Sequence, residues 1–366
     1  MCMERPDKLS LKKRLALRLY DSYRHNAAKI HELTYLFWEA TLRCPLNCQH
    51  CGSDCRQESG VKDMPVQDFL KAVRQILPIV NPHHTMVVFT GGEVLVRHDL
   101  EEAGRALYEM EFPWGIVTNG YLLTPKRLQS LLEAGMRACT VSLDGLEESH
   151  NWLRQNPDSF RRAVAAIRLL PHTNLRHDVV TCVYNKNFDE LPKIKQLLID
   201  CGIKEWRIFT IFPVGRAANN PSLQLSSDKF KAVFDFIEST RKEGQIKVSY
   251  GCEGFLGDYE TKVRDNFFFC RAGINVASIL VDGSISACPD LRGRFIQGNI
   301  YQDNFADVWQ NRYQIMRDRS WTKVGICKDC EFFNHCEGNG LHLRDEEKNE
   351  LAFCHLKRIM EGTKGI

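Results

Sequence analysis

Short β-branched runs alternate with longer amphipathic stretches between residues 34 and 240, and no other feature of the 366-residue chain restricts its fold as strongly. The β-branched runs fall at residues 34–41, 86–90, 115–118, 139–143, 178–183 and 207–212. Residues 66–79, 99–110, 125–134, 159–170, 189–200 and 227–240 repeat apolar side chains at the period of a helix with one buried face. Strands linked by such helices pair in parallel, because each helix is the crossover that returns the chain to the same end of the sheet. Six units are too few to close an eight-stranded barrel. The expected fold is therefore α/β, an open, partial (β/α)6 barrel with its chemistry at the carboxyl ends of the strands.

After residue 243 the alternation stops, and residues 244–366 become short strands, turns and cysteines, as in CRAGINVASILVDGSISACPD and CKDCEFFNHCEGNG. Such a segment has little aliphatic material to bury, so it is expected to lean on metal centres and to form a small domain with a short β-hairpin and helix. Residues 1–33 form a third region, a basic helix with Lys12, Lys13, Arg14, Arg18, Arg24 and Lys29, expected to pack on the outside of the barrel. The expected domains are thus 1–33, 34–243 and 244–366.

A formal charge of +3 is too weak for a nucleic-acid binder. No apolar run approaches the roughly 18 residues of a membrane span, and residues 9–20 are too basic for a secretory signal. The expected location is cytoplasmic. There thiols stay reduced, so 15 cysteines imply metal or redox chemistry rather than disulfides. Cys139, Cys182 and Cys201 lie in apolar patterns and are expected in the core. Cys44, Cys48 and Cys51 share one loop, CPLNCQHC, directly after the first strand. Three thiolates so gathered can hold three irons of a [4Fe–4S] cluster and leave the fourth open. A zinc site completed by Cys55 is the alternative; the loop's place at the mouth of the barrel, where active sites lie, argues against it.

The spacing CxxxCxxC, with His50 before the last cysteine, resembles the signature of the radical S-adenosylmethionine (SAM) superfamily. That resemblance implies that the open iron chelates SAM and that reductive cleavage yields a 5′-deoxyadenosyl radical, which abstracts hydrogen from a substrate. Further matches follow at successive strand ends: Gly91, Gly92 and Glu93 in FTGGE, Thr118 and Asn119 in VTNG, Ser142 and Asp144 in VSLDG, and the stretch FPVGRA. In the resembling enzymes the glycine pair lets the backbone reach the methionyl amino group, and Ser142 with Arg154 are the candidates for the SAM carboxylate. A bidentate guanidinium suits that task.

Near the end, Cys270, Gly283 and Cys288, then Cys327, Cys330, Cys336 and Cys354, resemble the SPASM domain of peptide- and protein-modifying radical SAM enzymes, which carries two auxiliary iron–sulfur clusters. By resemblance Cys327, Cys330, Cys336 and Cys354 complete the second auxiliary [4Fe–4S] cluster; a zinc ribbon is the alternative. The first lacks a cysteine, because the matching position holds Gly340. It retains Cys270 and Cys288 and has Cys252 as a further candidate. Three outcomes stand open: a three-cysteine cluster with a free iron, completion by another ligand such as His335 or His342, or no first cluster. Asp290, one residue out of step with the aspartate that acts as base in sulfatase-maturing relatives, is either that base, its pKa raised by desolvation, or an ordinary turn residue.

The expected function is radical SAM modification of a peptide or protein, giving a crosslink, a thioether or an oxidised side chain, with a flavodoxin or ferredoxin as electron donor. A SPASM-type enzyme acting on a small molecule or cofactor precursor is the enzyme alternative, and a zinc-stabilised binding protein the non-enzyme one.

Overall fold

A computed structural model describes residues 9–251, 253–345 and 348–363. Its strands are β1 (Tyr35–Thr41), β2 (Met86–Gly91), β3 (Trp114–Thr118), β4 (Ala138–Ser142), β5 (Arg176–Val183), β6 (Glu205–Thr210), β7 (Lys247–Tyr250), β8 (Val276–Ile279), β9 (Ser284–Ser286) and β10 (Gly298–Asn299). They form one sheet in the order β10-β9-β8-β1-β2-β3-β4-β5-β6-β7, with β10 and β7 as unjoined edges. The barrel is therefore open, as expected. It is also wider than the sequence suggested: β7 extends the parallel set beyond β6, and β8 pairs in parallel with β1, Leu36 opposite Ala277. Both are four residues long, too short for periodicity to announce them. The expected hairpin is present as β8 and β9, antiparallel with Ile279 opposite Ile285.

The helices are α1 (Leu11–Ile30), α2 (Val66–Ile76), α3 (Leu100–Glu109), α4 (Pro125–Glu133), α5 (Glu147–Arg154), α6 (Ser159–Leu169), α7 (Leu191–Asp200), α8 (Ser227–Glu243), α9 (Phe305–Asn311), α10 (Gln314–Arg317), α11 (Phe333–Cys336) and α12 (His355–Thr363). Six of them are the helices read from the sequence, packed on the sheet through fully buried aromatics. Trp38 of β1 stacks on Phe69 of α2 at 4.2 Å and meets Phe89 of β2 edge-on at 5.1 Å. Helix α5 escaped the sequence reading, since EESHNWLR is two turns long and mostly polar.

The basic helix α1 departs from expectation. Its inner face sits on the cysteine-rich segment rather than on the barrel. Arg24, 2% exposed, donates to the Asn334 carbonyl at 2.6 Å and to Asp21 at 2.9 Å, and lies 3.6 Å from Glu337. His335 Nδ1 meets Asp21 at 2.6 Å. The Tyr20 ring packs 5.3 Å from Phe267. A buried guanidinium needs acceptors, and the end of α11 supplies them. No described helix is long and apolar enough to cross a membrane.

Candidate active site and auxiliary cysteine site

Residues 44–55 leave the carboxyl end of β1 as a loop closed at its base by a bridge between Arg43 and Arg56. Cys44 and Cys48 are 7% exposed and Cys51 is half-buried, so all three thiols turn inward. Asn119 Nδ2 donates to Cys44 Sγ at 3.6 Å, Arg154 Nη1 to Cys48 Sγ at 3.7 Å, and the Cys55 amide to Cys51 Sγ at 3.3 Å. Burial pushes the Cys44 thiol up to about 12 and raises that of Cys48. Thiolates in such a place need a cation, and N–H donors aimed at sulfur are what a metal–thiolate group uses around it, so this donor set fits an iron–sulfur cluster.

The glycine pair at the end of β2 locks the loop in place. A Cβ on Gly91 would stand 2.2 Å from the Thr41 carbonyl oxygen, and one on Gly92 2.3 Å from that of Arg43. Gly91 also has φ +125°, a conformation that side chains resist. The space kept free here is occupied by the backbone that leads from β1 into the cysteine loop: the Gly92 amide donates to the Thr41 carbonyl at 2.7 Å and the Glu93 amide to that of Arg43 at 2.9 Å. Glu93 is fully buried; its carboxylate accepts from Thr118 Oγ1 at 2.7 Å, the Asn119 amide at 2.7 Å and the Leu95 amide at 3.2 Å. Both oxygens are thus spent joining the ends of β2 and β3, which sets Asn119 against Cys44.

At the end of β4, Ser142 is half-buried and Asp144 fully buried. Arg154, the last residue of α5, donates through Nε to Asp144 Oδ2 at 2.7 Å. Burial opposes the Arg154 charge, but Asp144 more than restores it; Asp144 in turn is held below the usual carboxylate range, burial being outweighed by Arg154 and by the Cys182 amide. The guanidinium is therefore oriented by Asp144 and aimed at Cys48, not left loose. His50 lies 3.8 Å from Asp144, and its Nδ1 is buried without a hydrogen-bond partner among the described residues. An orphaned polar atom beside a charged pair fits a polar ligand at this mouth.

Several contributors were not read from the sequence. His150 accepts from the Asp144 amide at 2.9 Å and meets Ser159 at 3.0 Å, holding the turn after β4. Cys182, expected in the core, is half-buried near the end of β5, and its sulfur lies with His50 and Asp144 in one group within 4.8 Å. In the FPVGRA stretch, a Cβ on Gly215 would stand 2.5 Å from the Cys51 carbonyl oxygen, and Arg216 donates to the Cys51 carbonyl through its amide at 3.0 Å and to the Cys55 carbonyl through its side chain at 3.1 Å. That stretch clamps the cysteine loop from the β6 side. Only its strand-end position signals the role.

In the C-terminal segment Cys327, Cys330, Cys336 and Cys354 all line one cavity of about 260 Å³, walled by Phe255, Phe332 and Leu356. No three of these thiols lie within 4.8 Å of one another among the described residues. Four sulfurs on one zinc ion stand about 3.8 Å apart, from Zn–S bonds of about 2.3 Å, so the wider chamber fits a multi-iron cluster better. Arg344 donates to Cys327 Sγ at 3.6 Å. Burial raises Cys336 and pushes Cys354 up to about 11.

Cys270, between β7 and β8, is half-buried against the same apolar cluster as Cys330 and Cys336, and Cys288, after β9, is half-buried. Asp290 is exposed, 3.8 Å from Cys288 Sγ, so the chain itself does not bury it as expected. Cys252 lies outside the described residues.

Thiols gathered at the mouth of an open parallel sheet, and again in an apolar chamber beyond it, define an α/β enzyme of the iron–sulfur class. The Radical SAM superfamily profile matches residues 38–198 and the SPASM iron–sulfur cluster-binding domain profile residues 270–331. The chain thus holds a radical SAM domain followed by a SPASM domain, and these imply SAM and iron–sulfur clusters as cofactors. It is 25% identical to an AdoMet-dependent heme synthase of Oleidesulfovibrio alaskensis, covering 84% of this chain and 85% of that one. It is 28% identical to the mycofactocin maturase MftC of Mycolicibacterium smegmatis, over 83% of this chain and 76% of that one. Among solved structures, Streptococcus suis SuiB bound to S-adenosylmethionine superposes with a TM-score of 0.69 at 16% identity, over 95% of this chain and 84% of that one, and SuiB is also known bound to its precursor peptide SuiA.

Proposed function

We propose that the chain oxidises a peptide or protein side chain by SAM-dependent radical chemistry, giving a crosslink, a thioether or an oxidised residue. The observation that carries this reading is the apolar chamber lined by Cys327, Cys330, Cys336 and Cys354. A reaction that withdraws electrons from its substrate needs a second redox site; a redox-neutral one does not.

In this reading residues 34–243 bind SAM and residues 244–366 carry the auxiliary centres, behind the extension 1–33. Cys44, Cys48 and Cys51 hold the cluster that binds SAM. Gly91, Gly92, Glu93, Thr118, Asn119, Ser142, Asp144 and Arg154 form the SAM site. When bound, cluster and SAM together supply one-electron cleavage of SAM to methionine and a 5′-deoxyadenosyl radical. Arg154, fixed by Asp144, presents a buried cation to the SAM carboxylate, and Ser142 adds a hydroxyl. Glu93 keeps the ends of β2 and β3 joined, and the folded loop excludes water from the cleavage. The substrate gives up one hydrogen atom to make 5′-deoxyadenosine, then one proton and one electron. Asp290 Oδ is the proposed proton acceptor, with substrate covering it; a cluster held by the auxiliary cysteines would accept the electron, and a flavodoxin or ferredoxin would be the electron donor that reduces the SAM-binding cluster.

The unjoined edges β7 and β10 leave the mouth accessible to an extended chain, and both SuiB with its precursor peptide and the mycofactocin maturase support a peptide substrate. The heme synthase relatives favour a second reading, a tetrapyrrole or other cofactor precursor. Anaerobically reconstituted enzyme with SAM and dithionite, given the peptide and small-metabolite fractions of a cell extract separately, distinguishes them. The peptide fraction is expected to stimulate 5′-deoxyadenosine release and to yield a peptide of altered mass. Stimulation by the metabolite fraction alone overturns the peptide reading.

A further inference from the structure

Helix α1 has two faces of opposite character. Its inward face is spent on the C-terminal segment: Lys13 meets Asp258 at 3.5 Å, Arg24 meets Asp21 and Glu337, and Leu17 is buried. Asp21, the single acid of the helix, is turned inward to Arg24 and His335. The outward face has no such partners. At about 100° per residue, Leu11, Leu15, Leu19, Tyr23 and Ile30 fall within about one third of the helix circumference. Each is between 52% and 83% exposed. They make up five of the eleven large apolar side chains exposed among the described residues, so the row is a patch and not a scatter. Lys12, Arg18 and Lys29 stand in or beside the row, exposed, and none pairs with a carboxylate among the described residues.

Directly beneath this face lie auxiliary cysteines. Leu17 shares one apolar cluster with Phe255 and Phe332, against which Cys330 and Cys336 pack. The Tyr23 ring, on the exposed row, lies 5.4 Å from Tyr20 and 6.4 Å from Phe269, the residue before Cys270. Little more than the helix itself, about 10 Å across, separates the row from these thiols. An electron crosses packed protein of that thickness readily.

The charge of the face selects its occupant. A second copy of the chain, paired face to face, would set the same cations against each other. An acidic protein supplies the missing carboxylates, and the leucine row adds a small apolar contact. Redox encounters of this kind bury less than about 1,200 Å², a size that suits one helix face. We propose that the outward face of α1 is the docking surface for a small acidic one-electron carrier protein, which takes up the electron received by a cluster at Cys327, Cys330, Cys336 and Cys354. This rests on the function proposed above. In each transfer the reduced cluster loses one electron and the oxidised carrier gains it, which readies the auxiliary site for the next substrate.

The test uses the full chain with Cys44, Cys48 and Cys51 changed to Ala, so that only auxiliary iron donates. Reconstituted, reduced with dithionite and freed of the excess, it is mixed with an oxidised acidic flavodoxin. The flavin semiquinone is expected to form at a rate that falls as salt rises. Lys12→Glu, Arg18→Glu and Lys29→Glu together should slow this step about 10- to 100-fold at low salt, with iron content and reduction by dithionite unchanged. Leu15→Glu with Leu19→Glu should slow it as well; all five side chains are exposed, so no buried contact is lost. An unchanged rate in both variants, or no semiquinone although auxiliary iron is present, overturns the proposal. If the same changes instead abolish binding to phosphatidylglycerol vesicles, or split a dimer, and leave the flavodoxin rate intact, the face serves a membrane or a second copy and the proposal falls. A parent without iron or sulfide overturns the auxiliary-cluster reading itself, and this proposal with it.

Discussion

In the proposed SAM site, Arg154 is the residue on which binding turns. Its guanidinium is buried, fixed by Asp144 and aimed at Cys48. A hydrogen bond to a charged group is worth about 1.5–3 kcal/mol, so Arg154→Gln should weaken SAM binding by roughly 10- to 100-fold with iron content unchanged. Isothermal titration of SAM into the reconstituted variant measures this, and unaltered affinity would remove Arg154 from the site. The neighbouring change Asp144→Ala acts differently. It strands a buried cation, and breaking such a pair from one side costs about 3–5 kcal/mol, read as a fall in the urea midpoint. Gly92→Ala drives a Cβ toward the Arg43 carbonyl, 2.3 Å away. It should shift the cysteine loop and lower iron at the first site alone, which iron analysis on a background lacking the auxiliary cysteines would show.

At the scale of elements, the sequence was informative wherever periodicity had room to repeat. The six long crossover helices and strands β1–β6 follow from spacing alone, and the cysteine loop, glycine pair and strand-end motifs could be placed because each ends a strand. Strands β7 and β8 were hidden because four residues carry no period, and α5 because two polar turns do not stand out. The brace around the loop was illegible for another reason: Gly215 and Arg216 lie more than 150 positions from Cys51 in the chain and meet it only because β6 ends beside the mouth. The docking of α1 was misjudged because a helix's charge does not say which surface holds the matching acceptors. Arg24→Ala should therefore destabilise the C-terminal segment by about 3 kcal/mol. Hydrogen exchange should show faster opening of α11 than of β1–β6; protection unchanged in α11 would mean that α1 is merely adjacent.

For the whole molecule, the strand that opens into the cysteine loop and the β8–β9 hairpin that leads to Cys288 belong to one continuous sheet. Glu39 of β1 ties them, accepting from the Val281 amide at 3.2 Å and pairing with Arg292. One hydrophobic core runs through the barrel and into the C-terminal segment, which also holds an apolar chamber lined by four cysteines, the proposed iron site. Removing the iron with a chelator should consequently loosen residues around Cys327–Cys354 before the sheet melts, visible as two thermal transitions in place of one. The central claim is that Cys44, Cys48 and Cys51 support SAM-dependent radical chemistry. Its most direct test is 5′-deoxyadenosine formation from SAM and dithionite by the anaerobically reconstituted protein and by Cys48→Ala. The account predicts release by the parent and none by the variant; equal release by both, or none by an iron-loaded parent, would contradict it.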